Sequence, residues 1–150
     1  MCRTSYLRSV FDHEAFQKTV ERTHKLAKKL RKAHHFDTVA FCGMSGSAMA
    51  FILADKLKLE LLAVRKPGEA SHYVREMNGF LIEGNTLAER YLLVDDFICS
   101  GNTISFMLKT IHNEVPKAQC VAMIMYATSS RETYTHPITE QLIPVIGAMP

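Results

Sequence analysis

Two aspartates, Asp95 and Asp96, stand side by side directly after the apolar run Tyr91-Leu92-Leu93-Val94. The segment Cys99-Ser100-Gly101-Asn102-Thr103 follows, just before a stretch with helical spacing. Adjacent carboxylates at the end of a buried strand repel each other and resist desolvation, so they call for a cation or for hydroxyl groups to bind. Small residues opening a helix offer backbone N–H groups and the Ser100 and Thr103 hydroxyls to an anion, with the helix dipole adding to the attraction. Gly101 allows a phosphate to approach the backbone closely.

A second small-residue segment, Met44-Ser45-Gly46-Ser47, also follows an apolar strand and precedes a helical pattern. Two phosphate cradles with two carboxylates between them suit a sugar that carries phosphate at both ends. The carboxylates would accept hydrogen bonds from vicinal hydroxyls and hold Mg²⁺ through water. Neither segment is a Walker A loop, because no G-x-x-x-x-G-K-[ST] occurs, and no G-x-G-x-x-G follows a strand. A phosphatase or receiver-type acidic site would use the carboxylates but leaves Ser100-Gly101-Asn102-Thr103 without a role.

The elements that must position these groups follow from periodicity. Phe16, Val20, Ala27 and Leu30 form one apolar stripe, predicting a helix over 12–34. Strands are predicted at 38–43, 59–65, 80–84, 90–96 and 118–127. Helices are predicted at 48–57 and after Thr103, where Ile104, Met107, Leu108 and Ile111 share a face. Residues 44–47 are read as a loop, and 67–79, bounded by Pro67-Gly68 and Asn78-Gly79, as a long functional loop. The tail from Thr128, with Pro137, Pro144 and Pro150, is read as mostly irregular. The alternation predicts an α/β fold: a single domain over 1–150 with an open, mostly parallel five-stranded sheet flanked by helices. Ligands in such sheets bind beyond the carboxyl ends of the strands, where the strand order switches. Asp95, Asp96, the 44–47 segment and Lys66 should therefore meet at one edge.

The chain has 150 residues, 47% apolar and 22% charged, which is the balance of an ordinary globular domain. No apolar run approaches the roughly 20 residues that span a bilayer, and the first residues lack a signal-like apolar core. The four cysteines, Cys2, Cys42, Cys99 and Cys120, are scattered, which favours reduced thiols and a cytoplasmic setting without membrane partners. Between Lys18 and Lys32 there are seven Lys or Arg residues and one acid, Glu21. This is read as a solvated helix face, with nucleic acid as the competing partner.

The stretch Tyr91–Thr103 resembles the phosphoribosyl pyrophosphate (PRPP) signature of type I phosphoribosyltransferases, and Ala63-Val64-Arg65-Lys66-Pro67-Gly68-Glu69 is similar to a segment of adenine-type members. The resemblance implies a core over about 37–127 and a small base-selecting hood from 1–36 and 128–150. It implies that Asp95 and Asp96 hold the ribose hydroxyls and Mg²⁺, and that Cys99, Ser100, Gly101, Asn102 and Thr103 bind the 5-phosphate. Ser45, Gly46 and Ser47 would contact pyrophosphate, through a strained or cis peptide near Met44. Arg65 and Lys66 would supply positive charge to it. His72, Arg75 and Glu76 would close over the site. With Lys66 beside the two aspartates as the catalytic set, the implied reaction joins a nucleobase, a purine by preference, to the sugar and releases pyrophosphate. A homodimer is implied as well. Orotate or another pyrimidine as acceptor, and a non-catalytic PRPP-sensing regulator, are the competing readings.

Phe97 and Cys99 depart from the usual residues of the signature and are read as packing changes. Tyr126, Tyr134, His136 and Ile138 are the side chains in the tail region that could touch a base.

Overall fold

The computed structural model describes residues 12–66 and 80–149. The first helix, α1 (His13–His34), begins where the Asp12 side chain accepts the N–H of Ala15 at 2.8 Å, a cap that supplies a partner to one free donor of the first turn. It is followed by β1 (Thr38–Cys42), α2 (Gly43–Leu57), β2 (Glu60–Val64), β3 (Ile82–Gly84), β4 (Arg90–Asp95), α3 (Asn102–Glu114), β5 (Gln119–Met125), β6 (Thr133–Thr135) and β7 (Leu142–Gly147).

The strands form one sheet in the order β3-β2-β1-β4-β5-β7-β6. β1 pairs in parallel with β2 and β4, and β5 with β4 and β7, while β3 and β6 run antiparallel at the two edges. Alternate residues of each central strand divide between two cores. Ala40, Leu62, Tyr91, Leu93 and Met123 pack with Ile104, Met107, Leu108 and Ile111 of α3. Val39, Phe41, Leu92, Val94 and Ile124 pack with Val20, Ala27 and Leu30 of α1 and Met49, Ala50 and Leu53 of α2. The result is a sheet with two helices on one face and one on the other, all central strands buried as in other parallel sheets. No described helix is long and apolar enough to cross a membrane.

Two expectations need correction. The sheet has seven strands, not five, because the tail forms the β6–β7 hairpin. Pro144 argues against a strand only when its missing N–H is needed. Here it lies where β7 changes partner, from β6 at Leu142–Pro144 to β5 at Val145–Gly147. The alternating burial of Ile143 and Val145 is the period-two signal beneath it. Residues 44–47 are not a loop but the first turn of α2, which Gly43, at φ 68°, starts directly from the end of β1. α1 covers the sheet, contacting α2 and β5, and β6–β7 extends its edge.

Candidate functional site

Strand order reverses direction about β1: the chain moves to β2 on one side, then returns to β4 and on to β5. The carboxyl ends of β1 and β4 and the first turns of α2 and α3 therefore face a common cleft of about 320 Å³. Its walls include Ser45, Lys66, Asp95, Asp96, Phe97 and the whole of Cys99–Thr103.

Asp95 ends β4, and both aspartates are only 5% exposed. Asp95 Oδ1 accepts the Ser45 hydroxyl at 3.0 Å and the Asp96 N–H at 2.9 Å. Burial pushes the Asp95 carboxyl up to about 7. The neighbouring Asp96 carboxylate contributes to this rise, while the Asp96 N–H and the Ser45 hydroxyl act in the opposite direction. Asp96 Oδ1 accepts the Phe97 N–H at 2.9 Å, but Asp96 Oδ2, equally buried, has no hydrogen-bond partner. An acceptor in that state costs stability unless a ligand completes it.

Both helices that point at the cleft begin without a side-chain cap and without an acid in the first turn. Their leading N–H groups and the positive ends of their dipoles are thus left for an anion. Gly101, at φ 85°, is the N-cap of α3. A Cβ there would sit 3.1 Å from the Tyr134 hydroxyl in a conformation that L residues rarely adopt. The Ser100 hydroxyl accepts the Asn102 N–H at 3.3 Å, which folds the segment back over the helix start.

Not every expected residue lies against the cleft. Gly46 is buried beneath it, its Cα hydrogens against Phe41 and the Val94 carbonyl, so its smallness lets α2 approach the sheet. Ser47 donates back to the Met44 carbonyl at 2.8 Å. Arg65 forms a 2.7 Å ion pair with Glu83 across the β2–β3 edge. No peptide is cis among the described residues. His72, Arg75 and Glu76 lie outside the described residues. Phe97, half-buried, and Cys99, exposed, both line the cleft rather than only filling core space.

The aromatic residues of the tail region have partners within the fold. Tyr126 is fully buried and its hydroxyl donates to the Ser45 carbonyl at 2.7 Å. The Tyr134 hydroxyl donates to the Gly101 carbonyl at 3.0 Å and lies 2.6 Å from Ser105 Oγ. One tyrosine thus fixes each cradle from behind. His136 accepts the N–H groups of Ile138 and Thr139 on Nδ1 and stacks edgewise on His112 at 5.6 Å. It shapes the β6–β7 turn, lining a separate cavity. Burial and His112 both hold the His136 imidazolium form down. Ile138 is exposed in the same turn. Sequence reasoning missed the two tyrosine supports because their partners lie 81 and 33 residues away, with no local pattern to announce them.

Comparison with known proteins agrees with this geometry. The model of the PRTase-CE family matches residues 3–142. An adenine phosphoribosyltransferase from Thermoanaerobacter pseudethanolicus is similar at 22% identity and TM-score 0.54, covering 75% of this chain and 68% of that one. An orotate phosphoribosyltransferase from Aeropyrum pernix is similar at 15% identity and TM-score 0.62, covering 91% and 72%. Adenine phosphoribosyltransferase from Saccharomyces cerevisiae is similar at 15% identity and TM-score 0.61, covering 92% and 80%. At these identities the likeness is one of fold. No curated protein sequence matches the chain.

Proposed function

The chain belongs to the PRTase-CE family, within the type I phosphoribosyltransferases, and from that premise we propose that it transfers the 5-phosphoribosyl group of PRPP to a nucleobase and releases pyrophosphate. The observation that carries this reading is the buried, unpartnered Asp96 Oδ2 set between two uncapped helix starts. A sugar with vicinal hydroxyls and phosphate at each end completes all three features at once.

In this reading Cys99–Thr103 and the first N–H groups of α3 hold the 5-phosphate. Asp95 and Asp96 accept the ribose hydroxyls and fix the sugar's orientation. Ser45 and the start of α2, with Lys66 on the cleft wall, face the pyrophosphate. The bond that breaks joins ribose C1 to a pyrophosphate oxygen; the bond that forms joins C1 to a ring nitrogen. Positive charge grows on the sugar, which the two carboxylates favour. Negative charge grows on the leaving group, which the helix starts and Lys66 favour. No side-chain nucleophile is required.

Mg²⁺ fits the donor set, because carboxylate oxygens suit a hard cation and Asp96 Oδ2 has a free lone pair. No described cluster offers three protein ligands, so the ion would share its shell with waters and substrate phosphates. Asp95 and Asp96 would hold it, and it would neutralise charge on the departing pyrophosphate.

A purine is the preferred acceptor because of Arg65-Lys66-Pro67-Gly68. Solved structures of similar fold include both adenine and orotate enzymes, which keeps a pyrimidine as the second reading. Incubation with PRPP, Mg²⁺ and a panel of purine and pyrimidine bases tests both readings. Pyrophosphate release with adenine-type bases is expected. PRPP binding without release for any base would leave a PRPP-sensing regulator instead.

A further inference from the structure

Lys18, Arg22, Lys25, Lys29 and Lys32 follow one another at gaps of four, three, four and three, which places them on a single exposed face of α1. At about 1.5 Å per residue the stripe runs for roughly 21 Å. Folding adds cations from elsewhere. The carboxyl ends of α1 and α2 meet over a groove of about 420 Å³ lined by Lys28, Arg31, Lys32, His35, Lys56 and Lys58, with no carboxylate in its wall. Arg31 donates to the Leu57 carbonyl and so locks the two helix ends together. Among the described residues, the side chains of Lys25, Lys28, Lys29, Lys32 and Lys56 make no ion pair or hydrogen bond.

A solvated helix face ordinarily mixes signs, since like charges at this spacing weaken the helix. Favourable contact with a helix dipole accounts for Arg31, Lys32 and Lys56, which lie in last turns. It does not account for Arg22 and Lys25 in the middle of α1, beside which Glu21 is the one acid; Lys18, nearer the start, pairs with Glu14 at 2.9 Å. A membrane surface would want large apolar side chains beside the cations, and none of the exposed large hydrophobics is on α1. No exposed aromatic ring accompanies the stripe, so it offers no platform for stacked bases.

We propose that the α1 stripe and the groove between the ends of α1 and α2 bind the phosphate backbone of a nucleic acid, without reading its bases. A straight row of exposed cations at helical intervals, in which Lys18 pairs with Glu14 and Arg22 donates to Met149 Sδ while Lys25, Lys29 and Lys32 have no such partner, suits a linear polyanion with regularly repeated charges. Lys56 and Lys58, the latter 3.8 Å from Asp55 Oδ1, extend the row sideways.

The test is fluorescence anisotropy of the full chain with labelled RNA and duplex DNA of roughly 20 nucleotides or base pairs, at about 50 and 200 mM salt. Four or five phosphate contacts predict a loss of affinity of roughly 100- to 500-fold across that range. Lys25→Glu, Lys29→Glu and Lys32→Glu together should reduce binding by more than about 30-fold, and Lys→Gln at the same positions by less, with PRPP affinity unchanged in both. Lys56→Gln with Lys58→Gln should weaken binding more modestly. The proposal is overturned if the charge-reversed variant binds within about twofold of the wild type, or if affinity is nearly independent of salt. Equal competition by polyglutamate of matched charge, or binding to anionic vesicles but not to nucleic acid, would overturn it as well.

Discussion

The Ser45 hydroxyl donates to Asp95 Oδ1 at 3.0 Å, joining the first turn of α2 to the end of β4 across 50 residues of sequence. This contact links the cradle proposed for pyrophosphate to the carboxylates proposed for the ribose. It also supplies one of the two donors that partly offset the burial of Asp95.

Asp95→Asn with Asp96→Asn removes both negative charges from a buried pair. PRPP affinity should fall by more than about 100-fold, because hydroxyl acceptors and metal ligands are lost together. Thermal stability should rise, since desolvation and mutual repulsion disappear. Isothermal titration with PRPP and Mg²⁺, beside a melting curve, measures both; wild-type affinity in the double variant would remove these carboxylates from the site.

Metal-free protein should be less stable at pH 8 than at pH 5 through Asp95. Its folded-state carboxyl is held near 7 while the unfolded value is 3.8, so the folded state keeps a proton that the unfolded state has released. The contribution is fully present below about 3.8 and is lost progressively as pH rises from there through about 7. About 1.4 kcal/mol per pKa unit sets an upper limit near 4 kcal/mol, and solvent relaxation should leave about 1–3. Urea unfolding in a chelating buffer at several pH values checks this. The pH dependence of wild type minus Asp95→Asn isolates the group from the histidines.

Gly101→Ala should disturb the proposed 5-phosphate cradle through both strain and crowding. The new Cβ meets the Tyr134 hydroxyl at a φ of 85°. A stability loss of about 1–3 kcal/mol and a rise in the PRPP dissociation constant of more than about tenfold are expected. Tyr134→Phe, which spares the backbone, should cost about 1 kcal/mol and weaken PRPP binding less. Urea unfolding and PRPP titration of the two variants rank the effects; equal PRPP affinity in Gly101→Ala and the wild type contradicts the assignment.

Tyr126→Phe deletes the donor to the Ser45 carbonyl. Loss of one buried hydrogen bond should cost about 1–2 kcal/mol. Product inhibition by pyrophosphate should weaken while 5-phosphate analogues bind as before, because only the start of α2 loses its support. Competition assays with pyrophosphate and ribose 5-phosphate separate the two cradles.

Much of the architecture was legible because local chemistry and fold agree. The stripe Phe16, Val20, Ala27 and Leu30 marked α1, and the run Tyr91–Val94 could hardly be anything but a central strand. β6 and β7 were hidden by Pro137 and Pro144, since composition cannot reveal that a strand changes partner at its proline. Ser45–Ser47 looked like a loop because helix propensity is weak there, while the packing of Gly46 against Phe41 and Val94 decides otherwise.

The sequence by itself determined the type of chemistry at the cleft. Adjacent acids after an apolar strand and small residues before a helix are local features, and their meaning does not depend on distant partners. Only the tertiary structure decided which groups act together. It brought Ser45 to Asp95, set Tyr126 and Tyr134 behind the two cradles, turned Arg65 toward Glu83, and gathered Lys56 and Lys58 beside the α1 stripe. Each of those contacts joins segments distant in sequence, whose proximity is set by strand order and helix packing, and no residue spacing along the chain encodes it.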